Sequence, residues 1–338
     1  MKLLEQLLKL KSAEAVHYTL QHVPPAQGAR TLKTNNEYVR VWLRSAYITE
    51  VRRWTTKFYA GTHARFELTD WNARKREVLS VVAPDKTFEE MDPGHLDRFI
   101  TVNQPLLGPV PFRGELSMDI GLFSIPSENL AKPYLNLLAD LTKTAGVSFL
   151  AQAAAFVEPL RRGAETIFSS SRSELEIGVS RTDTAVQVGH WIVARTPHGT
   201  LPPGLTLEPN QFVLVDGAGH PVKGFPYMVI GVEGVAARDD YHSIPEIGAG
   251  WESVRAAAAD NQSSDEVLSR FGQLRRAIGL SPELISEDKK RITTTFAREL
   301  ADAGFDAGLP LNALESVRPA ARRALRGASD VLASLPGA

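Results

Sequence analysis

The chain has 338 residues, enough for about two domains with separate cores. Its 38 basic and 39 acidic side chains leave a net charge of −1, so no global field draws it onto nucleic acid or an anionic membrane. Cysteine is absent, which excludes disulfides, thiol nucleophiles and thiolate metal sites and is compatible with the cytoplasm.

Residues 2–20 carry a helical pattern. Leu3, Leu7 and Leu10 fall on one side, Leu4 and Leu8 lie beside them, and Lys2, Glu5, Lys9 and Lys11 are mostly opposed. Glu5 and Lys9 interrupt the apolar run and no small-residue cleavage site follows promptly, so the segment reads as a helix of the mature chain and not as a signal peptide. Its shape suits docking on a partner, on a membrane surface or on its own domain. The mixed charge of its polar side makes attraction to anionic lipid weak. Pro24, Pro25 and Gly28 then break the chain.

From Tyr38 the period becomes two. Val39, Val41 and Leu43 alternate with Arg40, Trp42 and Arg44; Ala64, Phe66 and Leu68 alternate with His63, Arg65 and Glu67. The run Val78 to Val82 and the alternating segment Leu116 to Leu122 add two more strands. With no long helix between them, antiparallel pairing in a sandwich or open barrel follows. Residues 88–100 read as a short helix or a long loop.

After Pro126 the pattern turns helical, with a first helix near Lys132 carrying Leu135, Leu138 and Leu141, and a second carrying Phe149, Ala153, Val157 and Leu160. The most apolar stretch, Val147 to Val157, is too short for the roughly 20 residues a membrane-spanning helix needs. The cluster Ser169 to Ser173 reads as a linker. A second β region follows, with alternating segments Leu175 to Val179 and Val186 to Ile192, a strand Phe212 to Val215 ended by the turn Asp216-Gly217, and a strand Phe225 to Val232.

Near the C-terminus Ser263 and Glu266 make a capping-box pattern ahead of Val267, Phe271, Leu274 and Ile278, with Gly279 as the stop. Ser286 caps a further helix that ends at Gly304. The last segment, with Arg318, Arg322, Arg323 and Arg326, is a short basic helix or a disordered tail.

The expected fold class is α+β: an amphipathic helix and linker (1–30), an antiparallel β-sandwich-like N-terminal module (31–126), a central helix pair (127–170), a second smaller β module (171–245), a helical region (246–305) and a basic tail (306–338). Whether the two β modules pack together is not readable from pattern alone.

Standard catalytic motifs are missing: there is no phosphate-binding loop, no dinucleotide fingerprint, no His-Glu-x-x-His and no nucleophile elbow. The best local cluster is Arg238-Asp239-Asp240-Tyr241-His242, in which Asp239, Asp240 and His242 could share a proton or hold a metal; the competing reading is a charged strand-to-helix turn. Arg52, Arg53, Trp54, Lys57 and Tyr59 mix cations with aromatics, which suits a protein-contact patch better than nucleic acid in a neutral chain. By alternation His190 shares a face with Val186, Val188 and Ile192 and is expected as a hydrogen-bonded core histidine, and His63 shares a face with Arg65 and Glu67 and is expected in solvent. Asp70, Asp85, Asp92 and Asp97 lack the density of a calcium loop, which supplies six or more oxygens. No metal or cofactor is implied. The expected function is a non-catalytic binding or regulatory subunit with a protein partner; the alternatives are a hydrolase with dispersed catalytic residues and a peripheral membrane-acting protein.

Overall fold

The computed structural model describes residues 18–49, 52–53, 56–70, 72, 74–82, 99–126, 174–196, 200–260 and 262–306. They form a mixed α+β fold whose sheets are antiparallel. The chain divides after Ala237 into two compact units. The N-terminal helix with Leu3, Leu7 and Leu10, the helix pair of 127–170, the serine linker and the basic tail lie outside the described residues.

The first unit holds β1 (Tyr18–Val23), β2 (Arg30–Thr31), β3 (Tyr38–Tyr47), β4 (Arg52–Arg53), β5 (Thr56–Thr69), β6 (Lys75–Val82), β7 (Phe99–Pro111), β8 (Leu116–Pro126), β9 (Glu174–Asp183), β10 (Gln187–Arg195), β11 (Thr206–Leu207), β12 (Leu214–Val215) and β13 (Tyr227–Val235). One sheet runs β1-β10-β13-β3-β7, with β2 also paired to β10; a second runs β4-β5-β8-β9, with β6 also paired to β5; β11 and β12 form a small hairpin. The early and late β stretches therefore share both sheets by backbone hydrogen bonds: β13 pairs β3, and β9 pairs β8.

Alternation decides the faces. Val39, Val41 and Leu43 from β3, Leu107 and Val110 from β7, and Met228, Ile230 and Val232 from β13 meet Ala64, Phe66 and Leu68 from β5 and Leu116, Met118, Ile120 and Leu122 from β8 in one core between the sheets. This is the sandwich that the period-two pattern implies. Burying a side chain such as Phe66 or Leu43 contributes about 1.5–3 kcal/mol each before entropy is counted.

Three departures from the sequence reading have physical causes. Residues 18–20, expected to end a helix, start β1, where the ladder to β10 decides the conformation. Strand β7 begins at Phe99, inside the stretch 88–100 expected as a short helix or a long loop; it carries Pro105, Pro109 and Pro111, which a central strand would not accept and which it accepts as the terminal strand of its sheet, where a missing N–H is tolerated. Phe212, expected inside a strand, has φ 55, and the strand starts only at Leu214.

The second unit contains α1 (Pro245–Ala259), α2 (Ser264–Leu280) and α3 (Ser286–Asp302). Ser263 caps α2 by accepting the Glu266 amide at 3.3 Å, and Val267, Phe271, Leu274 and Ile278 are all buried. Gly279 does not stop α2, which runs one residue further. Ser286 is the first helical residue of α3 and not its cap, since Ile285 holds that position without a side-chain bond. Gly304, at φ 92, does close α3: its amide reaches the Ala301 carbonyl and that of Phe305 reaches Leu300, the left-handed ending that glycine favours.

Candidate functional site

The outer face of the six-stranded sheet carries the most specialised cluster. Arg40, Trp42 and Arg44 project from β3 on the side away from the sandwich core. Arg44 sits where two ladders are irregular. Against β13, register passes from Leu43–Ile230 to Ser45–Val229 and leaves Arg44 as the extra residue. Against β7, it passes from Leu43–Gln104 to Ser45–Thr101, so Asn103 lies in a bulge beside it. Bulges re-aim side chains, and they are over-represented at functional sites.

The Arg44 guanidinium bonds Asn103 Oδ1 on one side and Glu233 Oε1 on the other. It lies over the Trp42 ring at 4.7 Å and the Phe212 ring at 4.9 Å. Trp42 Nε1 donates to Glu233 Oε2 at 2.9 Å, and Arg40 approaches the same carboxylate at 3.9 Å. Gly231 makes room for this arrangement, because a Cβ there would stand 2.7 Å from Arg44 Nε. Each desolvated cation–π contact contributes about 0.5–2 kcal/mol.

Two of the groups that touch Arg44 have left-handed backbones, Asn103 at φ 39 and Phe212 at φ 55. Asparagine tolerates that region; an aromatic residue does so at a cost of about 1–3 kcal/mol. Phe212 is held there by its carbonyl, which accepts Ser45 Oγ at 2.6 Å, and by its ring, which stacks on His190 at 4.8 Å. His190 does not share a face with Val188. Gly189, at φ 136, offsets the alternation, so Val188 packs in the sandwich core while Ile192 lies in the cluster on the outer face. Burial, and then the Arg44 charge, hold the His190 imidazolium below its ordinary pKa against the opposing pull of Glu233.

The cluster read from sequence as a catalytic candidate is built differently. The Arg238 side chain is fully buried; its Nε and Nη2 bond Asp240 at 2.7 and 3.0 Å, and Glu283 lies 3.9 Å away. The Arg238 amide donates to Asp288 in the first turn of α3, and Arg291 Nε bonds the other oxygen of that carboxylate at 2.6 Å. Asp239 is 99% exposed, and His242 lies exposed against Tyr241 and Phe296. Asp240 is thus committed to a clamp, and the three candidates do not converge on one point. Among the described residues no group of three or more His, Asp or Glu side chains could hold a metal ion.

Of the cation-aromatic segment, Arg52 opposes Lys57 and Arg53 opposes Thr56 in the β4–β5 hairpin, and Tyr59 opposes Ile125; Trp54 lies outside the described residues. Asp70 accepts the Asn72 and Arg74 amides and Arg76 Nε within the β5–β6 turn, while Asp85, Asp92 and Asp97 lie outside the described residues. His63 keeps its expected strand face but is only 8% exposed; burial lowers its pKa to about 4, against the pull of Asp119 and Glu77. No described helix is long and apolar enough to cross a membrane.

Sequence reading found Trp42 and Arg44 as outward strand positions and missed their partners. Glu233 and Asn103 are distant in sequence, and a left-handed aromatic has no compositional signal. No family model, no curated protein and no solved structure matches this chain.

Proposed function

We propose that the chain is a non-catalytic binding or regulatory subunit that acts through protein–protein contacts within a larger assembly in the cytoplasm. The observation that supports this reading is the Trp42–Arg44–Glu233 cluster on the sheet's outer face, bordered by Arg40 and Phe212. Tryptophan and arginine dominate the energetics of protein interfaces. Here they are held in place before any partner arrives, so little side-chain entropy remains to be lost on binding. Arg40 and Glu233 keep about a third of their side-chain surface open, as a polar rim does.

The hydrolase alternative draws no support from Asp239, Asp240 and His242, since Asp240 faces Arg238 and Asp239 faces solvent. The membrane-acting alternative rests on segments outside the described residues.

The test is affinity purification from the native host with wild type, Trp42→Ala and Asp239→Ala, each confirmed folded by circular dichroism. A stoichiometric partner should be retained by wild type and Asp239→Ala. It should bind Trp42→Ala about 30-fold more weakly, the loss of a hot-spot side chain. Equal recovery with Trp42→Ala would remove this face from the proposal, and a monomer with no partner would remove the subunit reading.

A further inference from the structure

The two end strands of the six-stranded sheet are unlike. At one end β7 carries Pro105, Pro109 and Pro111, and its ladder to β3 is irregular. In the second sheet β6 opens with Lys75, Arg76 and Glu77, and β9 carries Glu174, Glu176, Arg181 and Asp183. Prolines, bulges and charges are the devices that keep a sheet edge from pairing with another chain. At the other end of the six-stranded sheet, β1 has none of them. Tyr18–Val23 contains no Pro, Gly, Lys, Arg, Asp or Glu, and its register to β10 runs without a shift from Tyr18 opposite Arg195 to Val23 opposite His190. It is alone in this among the described strands longer than two residues.

This strand is also firmly held. Thr19 Oγ1 and Thr196 Oγ1 share a hydrogen bond of 3.1 Å, and His22 Nε2 donates to the Val188 carbonyl at 3.1 Å. Gly189 leaves the room for that approach, since a Cβ there would stand 2.5 Å from the Val23 carbonyl oxygen and 2.9 Å from His22 Nε2. No described strand pairs the free edge of β1. Leu20 lies opposite Val193, a residue of the sandwich core, and is nevertheless 41% exposed. Among the described residues only Leu280 is a second large apolar side chain left in solvent.

We propose that β1 pairs antiparallel with β1 of a second copy of this chain, so that the six-stranded sheet continues across a twofold axis at Leu20. Residues directly opposite in an antiparallel ladder share a face. An axis at Leu20 sets Leu20 against Leu20 of the copy and Thr19 against Gln21 of the copy. One contact then covers both exposed leucines, and no like charges meet. Neutrality selects the partner: a strand bringing Lys or Glu opposite Leu20 would desolvate an unpaired charge, and β1 is the described strand that brings none. Pro24 and Pro25 follow Val23 and end the ladder at the same point in both copies, as an isologous contact requires. The pairing does not rest on the Trp42–Arg44 face, which β10 and β13 separate from β1 and which stays open in the dimer.

The experiment is sedimentation of the full chain over a concentration series, with cross-linking of a Leu20→Cys variant. Wild type should pass from monomer to dimer as concentration rises. Leu20→Lys puts like charges across the axis and should weaken the dimer by about tenfold or more, and mixing it with Leu20→Glu should restore it. Leu280→Lys and Trp42→Ala should dimerise as wild type does. Directly opposite residues stand about 4.5–5.5 Å apart at Cα, within the span of a disulfide. Leu20→Cys, the sole cysteine in its chain, should therefore form a covalent dimer on mild oxidation, and Leu280→Cys should not. A wild type that is monomeric at every concentration, a dimer that Leu20→Lys leaves intact, or a Leu20→Cys chain that does not cross-link would each overturn the proposal. Leu20→Cys keeps a small apolar side chain and decides the matter even where Leu20→Lys does not fold.

Discussion

Arg44 in the β unit and Arg238 in the helical unit are both largely buried cations, and their surroundings differ in kind. Arg238 is enclosed by the carboxylates of Asp240 and Glu283, and its backbone is tied to Asp288. Arg44 has one carboxylate, two aromatic faces and two left-handed neighbours. The first arrangement closes on itself and holds a chain segment to a helix start. The second keeps strain and an open rim, which a purely structural contact does not require. A cluster of charged residues in sequence is therefore a weaker guide to function than the company that a single charge keeps after folding.

The largest expected effect tests the clamp. Arg238→Met leaves the buried Glu283 carboxylate and the partly exposed Asp240 carboxylate without this cation and should lower stability by about 3–5 kcal/mol in urea unfolding. Asp239→Ala, at the fully solvated neighbour, should change it by less than about 0.5 kcal/mol. If both variants behave alike, Arg238 is not the clamp described.

His63 shows a third way of burying an ionisable group, by keeping it neutral. Its folded pKa is depressed to about 4, below the unfolded value of 6.5, so the unfolded chain binds more protons between these values. Stability should be full above pH 6.5 and fall by on the order of 3 kcal/mol as pH drops to about 4. His63→Gln should flatten that part of the stability–pH curve. An unchanged slope would mean that His63 takes up its proton without disturbing the sandwich.

Gly231→Ala sharpens the other side of the comparison. The new Cβ, 2.7 Å from Arg44 Nε, must displace the guanidinium from between Trp42 and Phe212, for a loss of about 1–3 kcal/mol and a change in tryptophan fluorescence. An unaltered spectrum would show that Arg44 is not held there. The smallest effect concerns a local device: Ser263→Ala should cost about 1 kcal/mol through loss of the α2 cap, read by thermal unfolding.

The parts of the fold legible in sequence are those that local chemistry decides. Period-two runs at Val39 to Leu43 and Leu116 to Leu122 gave strands with the correct core face. Ser263 with Glu266 marked a helix start, Gly304 a helix end, and Asp216 a turn in which its carboxylate accepts the Ala218 and His220 amides. Misreadings fall where a neighbour outweighs local preference. Pro105 argues against a strand until β7 proves to be terminal, and Gly189 shifts His190 to the other face. His63 was put on the right face but in the wrong environment, because alternation assigns a face and says nothing of what covers it.

Sequence by itself determined the α+β class, the sandwich pattern and the helical C-terminal region, since periodicity and capping act over a few neighbouring residues. Tertiary structure alone decided that the early and late strands share both sheets, that Asp240 serves a clamp, and that Arg44 meets Asn103, Phe212 and Glu233. Those pairings join residues 59 and 189 positions apart, and no local preference encodes a contact over such a separation. It arises only when whole strands find their register and bury a common core.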